Sequence, residues 1–557
     1  MKKRLVALLL IATMASGVLA GCGQQPSVGE QSSESSKKEE TKQSTESQAE
    51  VEETSNFNEE GFPIVDEEIT LKILYSVADQ YFNNFAKPED IPVIQEIEKL
   101  TNIKTEWQPV LKSNWETETN LMWASGEYPD VIIGDIDVEN YGVTQQALIP
   151  LDDLIEKYAF NITDRIAMED SDPTMAMVAS DGQIYATGYM VSQNMEVGSN
   201  HFINKKWLET LGLEKPTTIE GLTDVLRKFK TEDPNGNGKA DEIPAVLTID
   251  TNNTGDYSIY RMLPLFGISS HNTYIDNDGK VQFGAVQEEF RNMLEWLNML
   301  YVEELMDPDA FSQDSASAGV KVTDRTAGFF GGWRLTAMGL GDEDIKDFYE
   351  LFYTDDACYG RNLETSGNRV FITVTNEHPE ATMRWINTLY DTENMFSLYY
   401  GPKMKPEEND GTKYGWYYDT NGKITTVNAP KDAQNKIVLS TNGPFFAPGN
   451  YSDEVYNMAP YRVEKAEYSD LLDEAGLLEK YSNWYFKLCK FTTEEKERIA
   501  TLKTDLNTAI YENVAALVKD GVTDQSWNDF VKLLEEIGYQ EYVNAYQEKI
   551  DELGIVK

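Results

Sequence analysis

Cysteine is almost missing from this chain: three in 557 residues, at Cys22, Cys358 and Cys489. A scaffold that depends on disulfides would carry more. Histidine is as scarce, at His201, His271 and His378, and His378 lies in a turn before Pro379. No H-E-x-x-H, G-x-S-x-G or G-x-x-x-x-G-K-[ST] occurs, so the common signatures of zinc proteases, serine hydrolases and phosphate loops are absent. Each histidine reads as a surface or structural residue. Basic residues are few as well, 48 against 95 acidic, giving a formal net charge of −47. A surface of that sign repels phosphate backbones, which argues against nucleic acid as a partner and disfavours strongly anionic ligands. After Leu19 no apolar run approaches the roughly 20 residues needed to cross a bilayer.

The N-terminus is where the apolar and basic residues are concentrated. Lys2, Lys3 and Arg4 precede the run from Leu5 to Leu10, and Leu19-Ala20-Gly21-Cys22 follows. That order predicts a secretory leader over residues 1–21, with Cys22 free to take lipid such as palmitate. The alternative is an ordinary leader with a chance cysteine. Stable anchoring takes about two acyl chains. From Gly23 to about Phe62 the chain is Ser, Glu, Gln, Thr and Lys with little to bury, so residues 22–65 are expected as a disordered tether. Cys358 and Cys489, far apart in sequence, read as two separate buried thiols, with a disulfide between them, which an oxidising exterior permits, as the alternative.

Periodicity organises the rest. Ile69, Leu71 and Ile73 alternate with polar residues as in a strand, and Ile91, Ile94, Ile97 and Leu100 recur at helical spacing. A strand near Ile103–Val110, a helix from Asn114 to Gly126 and a buried Val131–Ile133 strand complete a β-α-β-α-β run, expected to form a largely parallel sheet. The alternation restarts at His201–Ile203. Thr217 and Glu220 read as a capping box for a helix striped by Leu222, Val225, Leu226 and Phe229. Asp276-Asn277-Asp278-Gly279 suits a hairpin turn. A helix carries Phe290 to Tyr301 on its core side, a strand spans Arg369–Val374, a helix follows over Glu380–Tyr390, and nearly everything from Thr492 is helical.

The sharpest local motif runs from Asp233 to Glu242. Asp233, Asn235, Asn237, Asp241 and Glu242 place oxygens at the first, third, fifth, ninth and tenth positions, with Gly238 sixth. Calcium takes six to eight oxygens, and alternate residues of a tight loop can supply them, with the Lys239 carbonyl as a main-chain ligand. The twelfth position, a bidentate glutamate in an EF-hand, is Pro244, and no second helix follows. A structural Ca2+ pinning a helix to a strand is therefore expected rather than a sensor; a metal-free Asp/Asn/Gly turn is the alternative.

Aromatics are plentiful: 10 Trp, 30 Tyr and 22 Phe. Most must be core. Tyr189, Trp333 and Trp416, however, follow glycines in loop-like settings. A flat ring can cover the C–H face of a sugar while carboxylates, amides and Arg bond its hydroxyls. Arg334 beside Trp333, and Asp135 after Gly134, suit that polar role.

Several motifs in order resemble the family 1 extracellular solute-binding lipoproteins of carbohydrate ABC importers. They are the lipobox at Cys22, Tyr128-Pro129-Asp130-Val131-Ile132, Ile203-Asn204-Lys205-Lys206-Trp207-Leu208, the acidic loop, Leu300-Tyr301-Val302-Glu303-Glu304, Pro379-Glu380-Ala381 and Met383-Arg384-Trp385. The resemblance covers about residue 66 to the end, and the acidic loop is similar to that of alginate-binding members. It implies an α/β, type II periplasmic-binding-protein-like fold of two lobes with a hinge, a central ligand cleft and a helical C-terminal region. The lobes are expected at about 66–190 plus 368–402, and 191–367 plus 403–557, with hinge strands near Gly188–Gly198 and Gly367. The implied protein is a lipid-anchored monomer on the extracellular face of the cytoplasmic membrane. It touches the membrane only through its lipid, binds an oligosaccharide and meets the importer's permease subunits. Aromatic ligand positions vary within the family; Tyr189, Trp207, Trp333 and Trp416 are the candidates in this chain. A surface glycosidase or lyase, or a peptide-binding or sensor lipoprotein, are the other readings.

Overall fold

The computed structural model describes residues 56–77, 87–167, 177–190, 197–249, 255–335, 338, 340, 348–361, 365–409, 415–427, 456–457 and 460–554. The leader, Cys22 and the tether up to residue 55 lie outside the described residues.

The first lobe starts from a parallel trio. β1 (Ile69–Val77) lies between β2 (Ile103–Leu111) and β3 (Val131–Ile133). Leu71 and Ile73 turn inward, as their alternation demands. The helix Pro92–Thr101 lays Val93, Ile94 and Ile97 on that core and ends at a left-handed Asn102. The helix Trp115–Ser125 stops at a left-handed Gly126. After β4 (Ala186–Met190) the chain leaves this sheet.

The second sheet holds β5 (Asn200–Asn204) and β6 (Ile243–Ala245); the hairpin β7 (Thr273–Ile275) and β8 (Val281–Phe283) stands apart, and β9 (Ala327–Gly332) and β10 (Tyr349–Phe352) complete the sheet. Its order is β10-β5-β9-β6, antiparallel except for the β6–β9 pair. β11 (Thr365–Ile372) then returns to the first lobe, antiparallel between β3 and β4, giving the order β2-β1-β3-β11-β4. The largely parallel sheet expected from the sequence is therefore mixed. Parallel pairing covers only β1–β3, because the chain has to re-enter beside its own exit strand.

That re-entry makes the crossing between the lobes. β4 and β11 pair up to Met190 opposite Thr365, and a bridge between Val197 and Arg361 resumes the pairing on the other side. A third passage lies between Asn457 and the helix Pro460–Glu474, whose Leu472 is in a second-lobe core.

Three further expectations are corrected. Residues 56–65 are folded rather than tether: Ile64 and Val65 are buried in the first lobe, and Arg384 bonds the carbonyls of Asn58 and Gly61. β12 (Gly415–Tyr418), β13 (Ile424–Val427) and β14 (Tyr456–Asn457), expected with the second lobe, place Trp416, Ile424 and Tyr456 in the first lobe's core. The helix Ile219–Thr231 is capped by Thr218, whose hydroxyl accepts from Gly221 N, rather than by Thr217.

The C-terminal helices Thr493–Asp520, Asp524–Ile537 and Tyr539–Leu553 close the second lobe. Leu502, Leu506, Ile510, Val514, Phe530 and Leu534 share one core with Phe290, Met293, Leu294 and Leu297 of the helix Glu288–Val302. Each such burial is worth about 1.5–3 kcal/mol. Tyr301, expected on that core side, is over a third exposed. Among the described residues no helix is long and apolar enough to cross a membrane. Cys358 and Cys489 are free and partly buried, and burial pushes both thiols up to about 12.

Candidate ligand cleft and cation loop

Strand direction decides what faces the crossing. β11 enters the first lobe from the crossing, and Val370 pairs with Ile133, so the end of β3 points back toward it. Gly134 N donates to Arg369 O at 2.9 Å and continues the ladder. A Cβ on Gly134 would lie 2.3 Å from the Trp115 ring, so only glycine lets the strand pass there. Trp115 Nε1 donates to the Asp135 carbonyl at 2.7 Å, and the Asp135 carboxylate accepts from Arg369. A carboxylate and a guanidinium thus stand together at the crossing end of this sheet. Arg369 was not legible as a site residue, because its partner is 234 residues away.

The second sheet presents its own crossing end. β5 begins at Asn200, opposite Gly332 at the end of β9, and Trp333 follows. Trp333 N donates to Asp256 Oδ1 at 2.7 Å, and its carbonyl accepts from Asn200 Nδ2 at 2.8 Å. The Arg334 Cζ lies 4.2 Å from the Trp333 ring centroid. Such stacking fixes both groups and is worth about 0.5–1 kcal/mol where exposed. Of the expected ligand residues, Trp333 and Arg334 form one unit and Asp135 faces the crossing from the other lobe. Tyr189 lies in β4 opposite Ser366, at the crossing, with its side chain outside the described residues.

Two tryptophans are removed from the ligand set. Trp207 sits in the helix Lys205–Leu211 beyond the far end of β5, 2% exposed, with its ring edge-on to Phe229 at 5.1 Å. Trp416 is fully buried, and its Nε1 donates to Ser397 Oγ at 3.0 Å. Neither ring has a face left for a ligand. Position after a glycine marked Trp416 as loop-like, but that glycine opens β12.

Among the described residues one ion pair spans the lobes. Lys496, in the first turn of the helix Thr493–Asp520, donates to Asp137 Oδ1 at 2.8 Å. Two of the three histidines are buried. His201 is fully buried between Tyr359 OH and Arg261 O, and burial lowers its pKa to about 3; His271, also buried, falls to about 4.

The acidic loop lies at the opposite end of the second sheet, between the helix Ile219–Thr231 and β6. Gly236 and Gly238 have φ of +70° and +73°, which the tight turn needs. The Asp233 carboxylate accepts from Asn237 N and Gly238 N, and Asp241 Oδ1 accepts from the side-chain amides of Asn235 and Asn237 at 2.8 and 3.0 Å. Those amide bonds hold the Asp241 carboxyl below the usual range. Glu242 Oε1 is buried without a hydrogen-bond partner, and burial, then Asp241 and Asp233, raise its pKa. Among the described residues no trio of His, Cys, Asp or Glu is gathered to hold a metal. A hard cation is fitted by this loop only if the asparagine oxygens and the Lys239 carbonyl join Asp233, Asp241 and Glu242. An orphaned buried carboxylate oxygen among further carboxylates suits that donor set.

Two α/β lobes joined by paired crossing strands, with aromatic, guanidinium and carboxylate groups at the facing sheet ends, define a solute receptor. Residues 82–396 match the bacterial extracellular solute-binding protein family, and the chain belongs to that family. It is 28% identical over 489 residues to the fructooligosaccharide ABC transporter substrate-binding protein FusA of Streptococcus pneumoniae serotype 4, covering 84% of this chain and 87% of that protein. The structure of FusA with kestose superposes at a TM-score of 0.71 with 25% identity, and that of a FusA EF-hand mutant with fructo-nystose at 0.69 and 25%. Both cover 88% of this chain and 100% of the other. The alginate-binding protein AlgQ2, solved without calcium ion, shares the fold at a TM-score of 0.60 and 21% identity, over 87% of this chain and 99% of its own.

Proposed function

We propose that this protein captures an oligosaccharide between its lobes and hands it to an ABC importer without altering it. The observation that carries the reading is the Trp333–Arg334 unit at the crossing end of the second sheet, facing the same crossing as Asp135 and Arg369. An aromatic face for sugar C–H groups and charged groups for hydroxyls are the two things a glycan needs. Full-length similarity to a fructooligosaccharide-binding protein supports the ligand class and makes kestose and nystose the first sugars to try. The acidity of the surface favours a neutral glycan over a uronic one. Similarity to solute-binding proteins favours capture over turnover.

The protein acts outside the cytoplasmic membrane, held through a lipid on Cys22, and its permease partner reads the closed form. Calcium sits in the Asp233–Glu242 loop as a structural ion; an EF-hand in the relative supports this. Calorimetry and thermal shift against a glycan panel test the reading. Saturable binding with a change in tryptophan fluorescence and intact sugar recovered afterwards is the expected result; Trp333→Ala weakens it. Sugar cleavage, or no binding to any glycan, overturns it.

A further inference from the structure

Trp333 begins where β9 has ended, and side chains from two other places in the chain hold its backbone. Its N–H donates to Asp256 Oδ1 at 2.7 Å, and its carbonyl accepts from Asn200 Nδ2 at 2.8 Å. A carboxylate acceptor makes the stronger kind of N–H bond, and Asn200 is buried. Gly332 leaves room for this approach. A Cβ there would lie 3.1 Å from Asp256 Oδ1 and 2.6 Å from the Met338 side chain.

Both holders are themselves fastened. The Asp256 carbonyl accepts from Ser315 Oγ at 3.0 Å, and Tyr257 N donates to Gly331 O at 2.8 Å. Arg261 Nε donates to Gly255 O at 3.1 Å, and the same guanidinium donates to Gly198 O in the crossing segment that leads into Asn200. One side chain therefore clamps the loop of Asp256 to the segment of Asn200, and from those two places Trp333 is gripped at its N–H and its carbonyl. An aromatic face binds a sugar best when it is already fixed, because a ring that the ligand has to order costs affinity.

We propose that Asp256 and Asn200 are positioning residues, which set the Trp333 ring in its binding orientation and join it to the crossing segment. This rests on the reading of Trp333–Arg334 as part of the ligand cleft. Two readouts on the full mature chain test it: acrylamide quenching of tryptophan emission without ligand, and calorimetry with kestose. Asp256→Ala increases the quenching and weakens kestose about three- to tenfold. Asp256→Asn, whose Oδ1 still accepts from Trp333 N, recovers most of both. Asn200→Ala acts like Asp256→Ala. In a Trp333→Ala background Asp256→Ala changes neither readout, which a general loss of stability or a direct contact between Asp256 and the sugar would not reproduce. Unchanged quenching and affinity in Asp256→Ala overturns the proposal, as does an Asn variant as defective as the Ala one, or an undiminished effect in the Trp333→Ala background. Native kestose affinity in Trp333→Ala overturns the cleft reading instead, and the quenching then still decides whether Asp256 fixes the ring.

Discussion

The two lobes reach one layered plan by different means. The first is built on long strands, nine residues each in β1 and β2, with helices threaded between them. The second has strands of three to six residues, mostly antiparallel, and most of its core comes from helices, including the C-terminal three. Their buried polar groups differ too. Among the described residues Arg384 is the one buried Asp, Glu, His, Lys or Arg of the first lobe, whereas the second buries His201, His271, Asp307, Glu464 and Glu479. A sheet with short strands cannot bury enough surface alone, so the second lobe's stability lies in its tail, and its pH response in its interior.

The widest gap between the lobes should come from the tail. Leu506 is fully buried in the second-lobe core and distant from the first-lobe sheet. Leu506→Ala costs about 2–5 kcal/mol, the range for deleting a buried leucine side chain. Urea unfolding followed by a second-lobe probe should show the lowered midpoint. An unchanged midpoint would mean that the tail only decorates the lobe.

Next comes pH. Burial raises the Glu479 pKa from 4.5 to about 7, opposed weakly by Ser269. Between those values the folded state holds more protons than the unfolded one, so unfolding free energy falls as pH rises through that window and levels off above it. The loss is about 3 kcal/mol at 1.36 kcal/mol per pH unit. Glu479→Gln should remove it and raise Tm at pH 8 with little change at pH 4. A variant that matches the native protein at both values would show Glu479 to be hydrated in solution.

These contrasts were only partly readable from the chain. Periodicity located β1, the helices and the tail because local burial patterns encode them. The pairing of β11 with β4 was hidden because the two strands meet only after the chain has crossed and returned, and the home of β12–β14 because nothing local shows that Trp416 is to bond Ser397 of the preceding helix. The acidic loop and Trp333–Arg334 were legible because their residues are consecutive. Asp137–Lys496 and Asp135–Arg369 were not, because nothing local marks one acidic residue among 95. Trp207 misled for the opposite reason: a tryptophan in a recognisable motif is as well suited to packing on Phe229 as to facing a sugar.

The loop gives a smaller effect, confined to the second lobe. A cation bound only by the folded state stabilises by about 2.7 kcal/mol at a hundredfold excess over Kd. Calcium should raise Tm in the native protein, chelator should reverse this, and Asp233→Ala with Asp241→Ala should be indifferent to both. Equal Tm with calcium and chelator in the native protein would leave the loop as a hydrogen-bonded turn.

The smallest expected effect lies where the lobes meet. Lys496 and Asp137 are each more than a third exposed, so their pair is worth about 0.2–1 kcal/mol and is screened by salt. Small as that is, it is applied directly to the opening of the cleft, and 1 kcal/mol changes a two-state ratio about fivefold. Lys496→Ala should therefore leave Tm nearly unchanged while shifting the scattering profile of the unliganded protein toward a more open form. Ligand affinity should weaken by up to about fivefold if the ligand-bound form keeps the pair. Asp137→Asn should do the same, and the double variant should add nothing further, because each change removes the same contact. Additive effects of the two substitutions would show that the residues act independently, Asp137 through the backbone amides of Glu139 and Asn140 that it also accepts from, and would remove this pair from the closure equilibrium.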